Sequence, residues 1–492
     1  MKFEITTVHK LKTEIATVIA LLGFSAKEAD LVKLQNLLNE FSDDLKCFIE
    51  MPYTDKLYRD SYYFYFATKF QEFSRDTIRI CLFEKNFSES IFINGTADDI
   101  QKAFLGFFIL RPIQGKYLGR TMISPRAFKS QHFVSCLARE RVSLAGFNLF
   151  VDAFPHSSQD TSTISCAETS IWMIMEYFSH RYPEYSPVLP SKIHQILMDT
   201  YRQRSLPSNG LTAIQISSAL RTLGFGTVMY TKNKNNPDEL LQIISTYVES
   251  GIPTIVATRS PQKAGHALVA IGHDEKTDSF DFESLPEKSG VFDTVNLKRN
   301  FIFSDDNRPI YVSSSLKEPL AGYNGDDLPK STIEAAIVPL YPKIFLEARG
   351  ARKLFEGIFK LRDFGSRQKT DEVLYRRIFL TSGRSYKHWL RKERIFDENL
   401  RNIILQTDLP KFIWLSEYGT ADNYRSMQAG SIICLDATGD QHLSSLIFSI
   451  YPDRYVVLDN ESRKYKGEKV ALPVFPLYQN NLKGEWNQWQ SN

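Results

Sequence analysis

The stretch SCAETSIWMIMEYFSHRY, Ser165 to Tyr182, decides the reading of this chain. Ser165 followed three residues later by Glu168 is a capping box, so a helix is predicted to open with Cys166 at its first position. Ile171, Ile174, Met175 and Phe178 then recur at i, i+3, i+4 and i+7, the apolar face of a 3.6-residue period. A loop holding Pro183, Pro187 and Pro190 closes the helix. A thiol is a nucleophile only as its thiolate, and the free N–H groups and dipole of a helix start favour an anion. A structural cysteine more often sits mid-helix among apolar neighbours.

Upstream, Phe133–Leu137 and Val142–Val151 read as strands leading to Phe154-Pro155 and a polar loop, His156 to Ser165. Gln159 lies in that loop. Its side-chain amide and the backbone N–H of Cys166 supply two donors for one tetrahedral oxygen. Downstream, helices are predicted over Ser191–Arg204, Thr212–Leu223 and Asp238–Ser250, followed by strands Thr254–Thr258, His266–Ile271 and Asn300–Phe303. His266 opens its strand behind Gly265, where no side chain blocks it from a cleft. An imidazole there can take the thiol proton and return it to a leaving group. His273 reads as an exposed turn residue, His156 as a solvated loop residue and His180 as a surface residue. The strand after His266 runs into Asp305, Asp306 and Asn307. One of the three is expected to orient the imidazole, the two acids ahead of the amide, although a turn before Pro309 uses the same residue types.

Gln, Cys at a helix start, His at a strand start, then Asp or Asn, in that order, resembles the papain-like cysteine peptidase superfamily. Within it, residues 154–312 resemble the compact bacterial peptidases that cleave double-glycine leader peptides. The resemblance implies a helical half followed by an antiparallel β half, and an acyl-enzyme on Cys166. It makes His266 the general base, Asp305 or Asp306 the orienting acid and Gln159 the oxyanion donor. It also implies a protein or peptide substrate and neither metal nor other cofactor. Acyl transfer, transglutamination or deamidation would share the thioester intermediate, and a non-catalytic protein-binding scaffold is the alternative from another class.

The whole chain, 492 residues with 43% hydrophobic and 24% charged residues, is expected to be α+β and to hold about three domains. These are an N-terminal unit at 1–128, the papain-like unit at 129–320 and a C-terminal unit at 328–492, the flanking units being α/β or α+β. In the first, Thr77–Phe83 and Ser90–Asn94 read as strands, Gly106–Pro125 as a strand with turns, and Arg111 and Arg120 as surface or ion-paired residues. In the last, strands are predicted at Ile333–Leu340, Phe412–Leu415, Ser431–Leu435, Ser445–Tyr451 and Tyr455–Leu458. Helices are predicted near Pro342–Lys360, Thr370–Leu380 and Lys387–Gln406. Trp172 reads as core, and Trp414, Glu417, Asp436 and Asp440 as structural. Pro207 to Leu211 reads as a turn. A net charge of +3, with no basic stripe, argues against nucleic-acid binding. Five scattered Cys without a C-x-x-C pair argue against thiolate zinc sites and a disulfide framework, and so for a reducing interior. Ile15–Phe24 is apolar but far short of the ~20 residues that span a bilayer. It reads as a helix ending at Gly23, with a second helix capped by Ser25 and Glu28. A cytoplasmic location without a membrane span is therefore expected.

Overall fold

The structure, a computed structural model, describes residues 2–23, 26–129, 132–200, 210–262, 264–274, 290–297, 299–323, 328–361, 373–393, 396–439, 443–459, 462, 464–479 and 482–484. The fold is α+β, built on three antiparallel sheets with helices between and around them. One short strand, Val291–Asp293, makes a parallel pair, with Leu374–Ser382.

The first sheet is a five-stranded meander in chain order: Lys2–Thr7, Lys46–Tyr53, Thr77–Phe83, Phe104–Leu110 and Leu118–Ile123. Its strands alternate between two cores, interrupted where the register shifts. Ile78, Ile80 and Leu82 join the helices Val8–Ala20 and Glu28–Glu40, whereas Cys81 and Phe83 face the hairpin Ala138–Leu144 and Phe147–Ala153. Both faces are covered, so the strand Thr77–Phe83 is buried throughout. Ser90–Asn94, expected as a strand, lies in the helix Glu89–Asn94, which Ser88 caps through its hydroxyl to the Ile91 N–H. The helix after Gly23 begins at Glu28 with Lys27 at its cap and no side-chain cap bond, and Ser25 lies outside the described residues.

The central sheet runs in the order Val312–Ser314, Phe301–Ser304, Gly265–Asp274, Thr254–Arg259, Thr332–Val338 and Val228–Thr231. Phe133–Cys136 pairs with the end of Gly265–Asp274, and Leu482–Lys483 adds to Phe133–Cys136. Two segments read as parts of the C-terminal unit, Thr332–Val338 and Leu482–Lys483, are thus strands of the central sheet. Gly272 makes the crossing possible: a Cβ there would lie 2.0 Å from the Val134 carbonyl oxygen. On one face Ile255, Val269, Ile271 and Ile337 pack against Ile171, Trp172, Ile174 and Phe178 of the helix Cys166–Arg181. On the other face Val256, Leu268, Ala270 and Phe303 meet Leu240, Ile244 and Tyr247 of the helix Pro237–Glu249, together with Leu380 and Trp414 of the third sheet.

That third sheet is seven-stranded, from Val291–Asp293 through Leu374–Ser382, Phe412–Gly419, Ser431–Asp436, Leu446–Tyr451 and Arg454–Asp459 to Lys464–Lys469. Leu374–Leu380, expected as helix, is strand. Its apolar residues Ile378 and Leu380 face one core and Tyr375 and Phe379 the other, the period of a buried strand rather than of a helix. Lys387–Gln406 holds two helices, Gly383–Lys392 and Glu398–Gln406, and the helix expected from Pro342 begins at Ala348. A buried ion network ties this sheet to the central unit. Arg377 pairs with Glu249 at 2.8 Å and with Glu417 at 2.9 Å, and Glu249 also meets Arg299 and His273. His273 is therefore a buried, bonded residue and not an exposed turn residue. Trp172 and Trp414 are fully buried, the latter donating from Nε1 to the Leu346 carbonyl oxygen. Among the described residues no helix is long and apolar enough to cross a membrane.

Candidate active site

The helix Cys166–Arg181 opens as its sequence dictates. Ser165 is extended, its backbone N–H donates to Glu168 Oε2 at 2.8 Å, and Cys166 takes the first helical position. The side chain of Cys166 is half-buried, while Cys47, Cys81, Cys136 and Cys434 are buried. Burial, the largest influence on each, raises the Cys47, Cys81 and Cys136 thiols to about 12. Cys166 is thus the described cysteine that solvent and a substrate can reach.

The loop before it is far from a solvated connector. His156, Ser157, Ser158, Asp160, Thr163 and Ile164 are all buried. Asp160 organises the turn by accepting from the N–H groups of Ser162, Thr163 and Ile164 at 2.8, 2.6 and 3.1 Å. This network holds Thr161 at φ 60, a left-handed conformation that Thr adopts only under such constraint. Arg111, read as a surface or ion-paired side chain, is buried. Its Nη2 donates to the carbonyl oxygens of Ser158 and Gln159 at 2.8 and 2.9 Å. Arg120 is also buried and pairs with Asp55 and Glu140. His156 lies beneath the site, with Nδ1 3.0 Å from Ser304 Oγ and Nε2 without a partner. Burial keeps it neutral, pushing its pKa down to about 4 against the pull of Asp305.

His266 and the acids meet through strand register. His266 pairs with Thr258 on one side, and Val269 pairs with Ser304 on the other, so Asp305, one residue past its strand, lies near His266. His266 Nε2 is 2.9 Å from Asp305 Oδ1 and 3.8 Å from Asp306 Oδ1, and the Cys166 side chain is close enough to favour the charged ring. Burial opposes the imidazolium, yet Asp305 outweighs it and holds His266 well above its usual range. The Asp305 carboxylate is fully buried but accepts from His266, Tyr323 Oη, the Asn307 N–H and Arg308 Nε, all at 2.8–3.0 Å. Burial opposes its charge, yet His266 and Arg308 hold it well below the usual carboxylate range.

The three candidate orienting residues therefore occupy three different situations. Asp305 bonds the imidazole directly. Asp306 is buried with neither oxygen in a hydrogen bond, and burial pushes it up to about 7. Asn307 faces the other way: its Oδ1 accepts from Gln159 Nε2 and from Lys33 Nζ, both at 2.9 Å. One amide hydrogen of Gln159 is thus engaged. Tyr323 and Arg308 escaped the sequence reading. Tyr323 stands edge-on to the His266 ring, with centroids 6.2 Å apart, and Arg308 lies over the Tyr323 ring. No motif marks either residue; only the Asp305 carboxylate joins them.

Among the described residues, two groups of side chains gather possible metal donors within 4.8 Å: His266, Asp305 and Asp306, and Glu140, Glu176 and His180. In the first, four hydrogen bonds already occupy Asp305. In the second, Lys56, Arg120 and His180 already supply positive charge, so His180 belongs to an ion network. In the C-terminal unit, Glu417 is buried in its pair with Arg377. Asp436 closes a turn by accepting from the Thr438 N–H. Asp440, residues 207–209 and most of the polar insertion, 275–289, lie outside the described residues.

The arrangement can deprotonate a thiol, hold the resulting ion pair in fixed orientation and donate to an oxyanion. No family model and no curated protein matches this chain.

Proposed function

We propose that this chain is a papain-like thiol hydrolase that cleaves a peptide or isopeptide bond through an acyl-enzyme on Cys166. The papain-like unit would be the central one of three. One observation carries the reading: a single buried imidazole, bonded through Nε2 to a buried carboxylate, is also held in its charged form by the half-buried thiol at a helix start. A structural cysteine needs neither partner.

In this reading His266 takes the Sγ proton and the sulfur attacks the carbonyl carbon. The C=O π pair becomes an oxyanion that the Cys166 N–H and Gln159 amide face. The C–N bond then breaks as the imidazolium returns the proton to the leaving amine. Water, deprotonated by His266, adds to the thioester; the C–S bond breaks and the thiolate recovers its proton. Asp305 stabilises the imidazolium throughout without taking its proton.

Selective alkylation of Cys166 is not sufficient proof, because the other cysteines are buried. The discriminating measurement is the rate of Cys166 alkylation by limiting iodoacetamide, followed by mass mapping from pH 5 to 9. The thiolate–imidazolium pair gives fast labelling persisting below pH 6, lost in His266→Ala. A rate that simply climbs with an ordinary thiol titration, unchanged by His266→Ala, would sink the proposal. Cleavage of a peptide library, abolished by Cys166→Ala, then tests hydrolysis, and an added amine in the products would mark transfer instead.

A further inference from the structure

The N-terminal unit brings cations to the edge of the site: the turn at Gly115 lies against Asp30 of the helix that carries Lys33, and Arg111 holds the Gln159 loop. Lys33, on the helix Glu28–Glu40, reaches Asn307 Oδ1 at 2.9 Å, the same oxygen that holds the Gln159 amide. Asn307 in turn donates its N–H to Asp305 Oδ1, so Lys33 stands two hydrogen bonds from the His266–Asp305 pair. Lys116 and Arg111 lie close enough to repel the Lys33 ammonium. Burial first, then Lys116, lowers Lys33 to about 8, against the pull of Asp306 and Asp305. Among the described residues the Lys33 ammonium makes this single hydrogen bond and no ion pair, and the Lys116 ammonium has neither. The nearby anions are not free to neutralise them. Asp305 serves His266, Tyr323 and Arg308, and Asp306 is buried in a setting that resists its charge. A partly buried cation with unused N–H groups, crowded by others of its sign, is costly unless an anion completes it.

We propose that Lys33 and Lys116 form a subsite for a carboxylate on the substrate, next to the acyl group that Cys166 attacks. The proposal rests on the thiol-hydrolase reading, since the anions that accompany acyl groups in a polypeptide are carboxylates. Lys33 then has two linked roles. It fixes Asn307, and through it the Gln159 amide, and it presents its remaining N–H groups to the substrate. The N-terminal unit supplies specificity in this view, and the central unit supplies the thiol chemistry.

Two electrophiles that differ only in charge test this on the full-length protein. Iodoacetate and iodoacetamide place a carboxylate or a carboxamide at the same position beside Cys166. The ratio of their rate constants at pH 7 is the readout. His266 also favours the anion, so the change between variants decides the matter rather than the absolute ratio. Lys33→Met is expected to lower the ratio about three- to tenfold, as one partly screened charge would. Lys116→Met should lower it less, and Lys33→Arg should preserve it. A ratio unchanged in both Lys33→Met and Lys116→Met, with both proteins folded by circular dichroism, overturns the subsite. The iodoacetamide rate alone reports the thiol, so loss of thiol activation is distinguishable from loss of anion preference. Protection of Cys166 from iodoacetamide by N-acetylglutamate α-amide, but not by its glutamine counterpart, assigns a side-chain carboxylate. Protection by N-acetylglycine over N-acetylglycinamide assigns a chain terminus.

Discussion

Asp305→Asn isolates the charge of the orienting acid while keeping its shape. In the native site the carboxylate accepts from four donors: His266, Tyr323, Arg308 and the Asn307 N–H. An amide has one acceptor oxygen and one donor nitrogen. If the oxygen faces His266, the new NH2 confronts Arg308 and Tyr323; if it faces Arg308, the NH2 confronts His266. In either orientation one charge-assisted hydrogen bond is lost, about 1.5–3 kcal/mol. If that loss falls on the imidazolium, the thiolate–imidazolium pair is depleted by about 10- to 100-fold at 1.36 kcal/mol per decade. The assay is the second-order rate of Cys166 alkylation by iodoacetamide at pH 6, with Tm recorded in parallel. Arg308 keeps its bonds to the Ala321 and Pro319 carbonyl oxygens, so the turn has anchors that survive the substitution. The pH dependence supplies a second check. Asp305 is held below its unfolded pKa, so its stabilisation is present above the ordinary carboxylate range and lost as pH falls through its lower folded value. Asp305→Asn removes that acid limb. A folded variant labelled within threefold of wild type at pH 6 would refute the assignment of Asp305 as the group that holds His266 charged.

The neighbouring acid should respond in the opposite sense. Asp306 is raised to about 7, so the folded state increasingly disfavours its ionised form as pH climbs from about 4 to 7, and Asp306→Asn removes that penalty. Denaturant melts should show a gain larger at pH 8 than at pH 5, the difference at most about 3 kcal/mol; equal effects at both pH values would contradict it. His156, buried and lowered to about 4, makes the unfolded state the better proton acceptor below about 6.5. Stability should therefore fall from pH 6.5 to 4 by up to about 3 kcal/mol on its account, and urea titrations of His156→Asn should show a flatter limb. Arg377→Met leaves Glu249 and Glu417 buried without their shared cation, and unfolding experiments should register a loss of about 3–5 kcal/mol. A loss under 1 kcal/mol would mean that the network is dispensable.

What was legible in the sequence is what local rules encode. The capping box at Ser165 and Glu168, the apolar stripe behind Cys166 and the strand opening at His266 each express a short-range preference. The structure leaves them where those preferences put them. The errors fall where tertiary contacts override local pattern. Leu374–Ser382 follows residues that resemble a helix but lies between two cores, and burial on both faces selects strand. His156 and His273 carry polar side chains in polar stretches, yet each is enclosed by elements distant in sequence: Ser304 for the first, Glu249 for the second. Nothing within ten residues of either reports that enclosure.

The same logic explains why the site itself was only half readable. Cys166, Gln159 and His266 are readable from order and spacing, as is the cluster Asp305, Asp306 and Asn307, but which of those three bonds the imidazole is not. Nor are the groups that hold them. Arg111 fixes the Gln159 loop through carbonyl oxygens, a role any long donor at that place could fill, and Tyr323 and Arg308 are defined only by the carboxylate they share. Lys33 stands furthest from legibility: it sits 274 positions from Asn307, on an otherwise unremarked helix of the first unit. Its depressed pKa, its single hydrogen bond and its like-charged neighbours exist only once the N-terminal and central units are packed together. That dependence sets a physical limit on dividing the chain. Removing the first unit would take away Lys33, Lys116 and Arg111 at once, leaving the Gln159 carbonyl oxygen without Arg111 and the Asn307 side-chain oxygen with the Gln159 amide as its donor. The thiol, imidazole and acid lie on the central unit, but the wall that steadies the Gln159 amide does not.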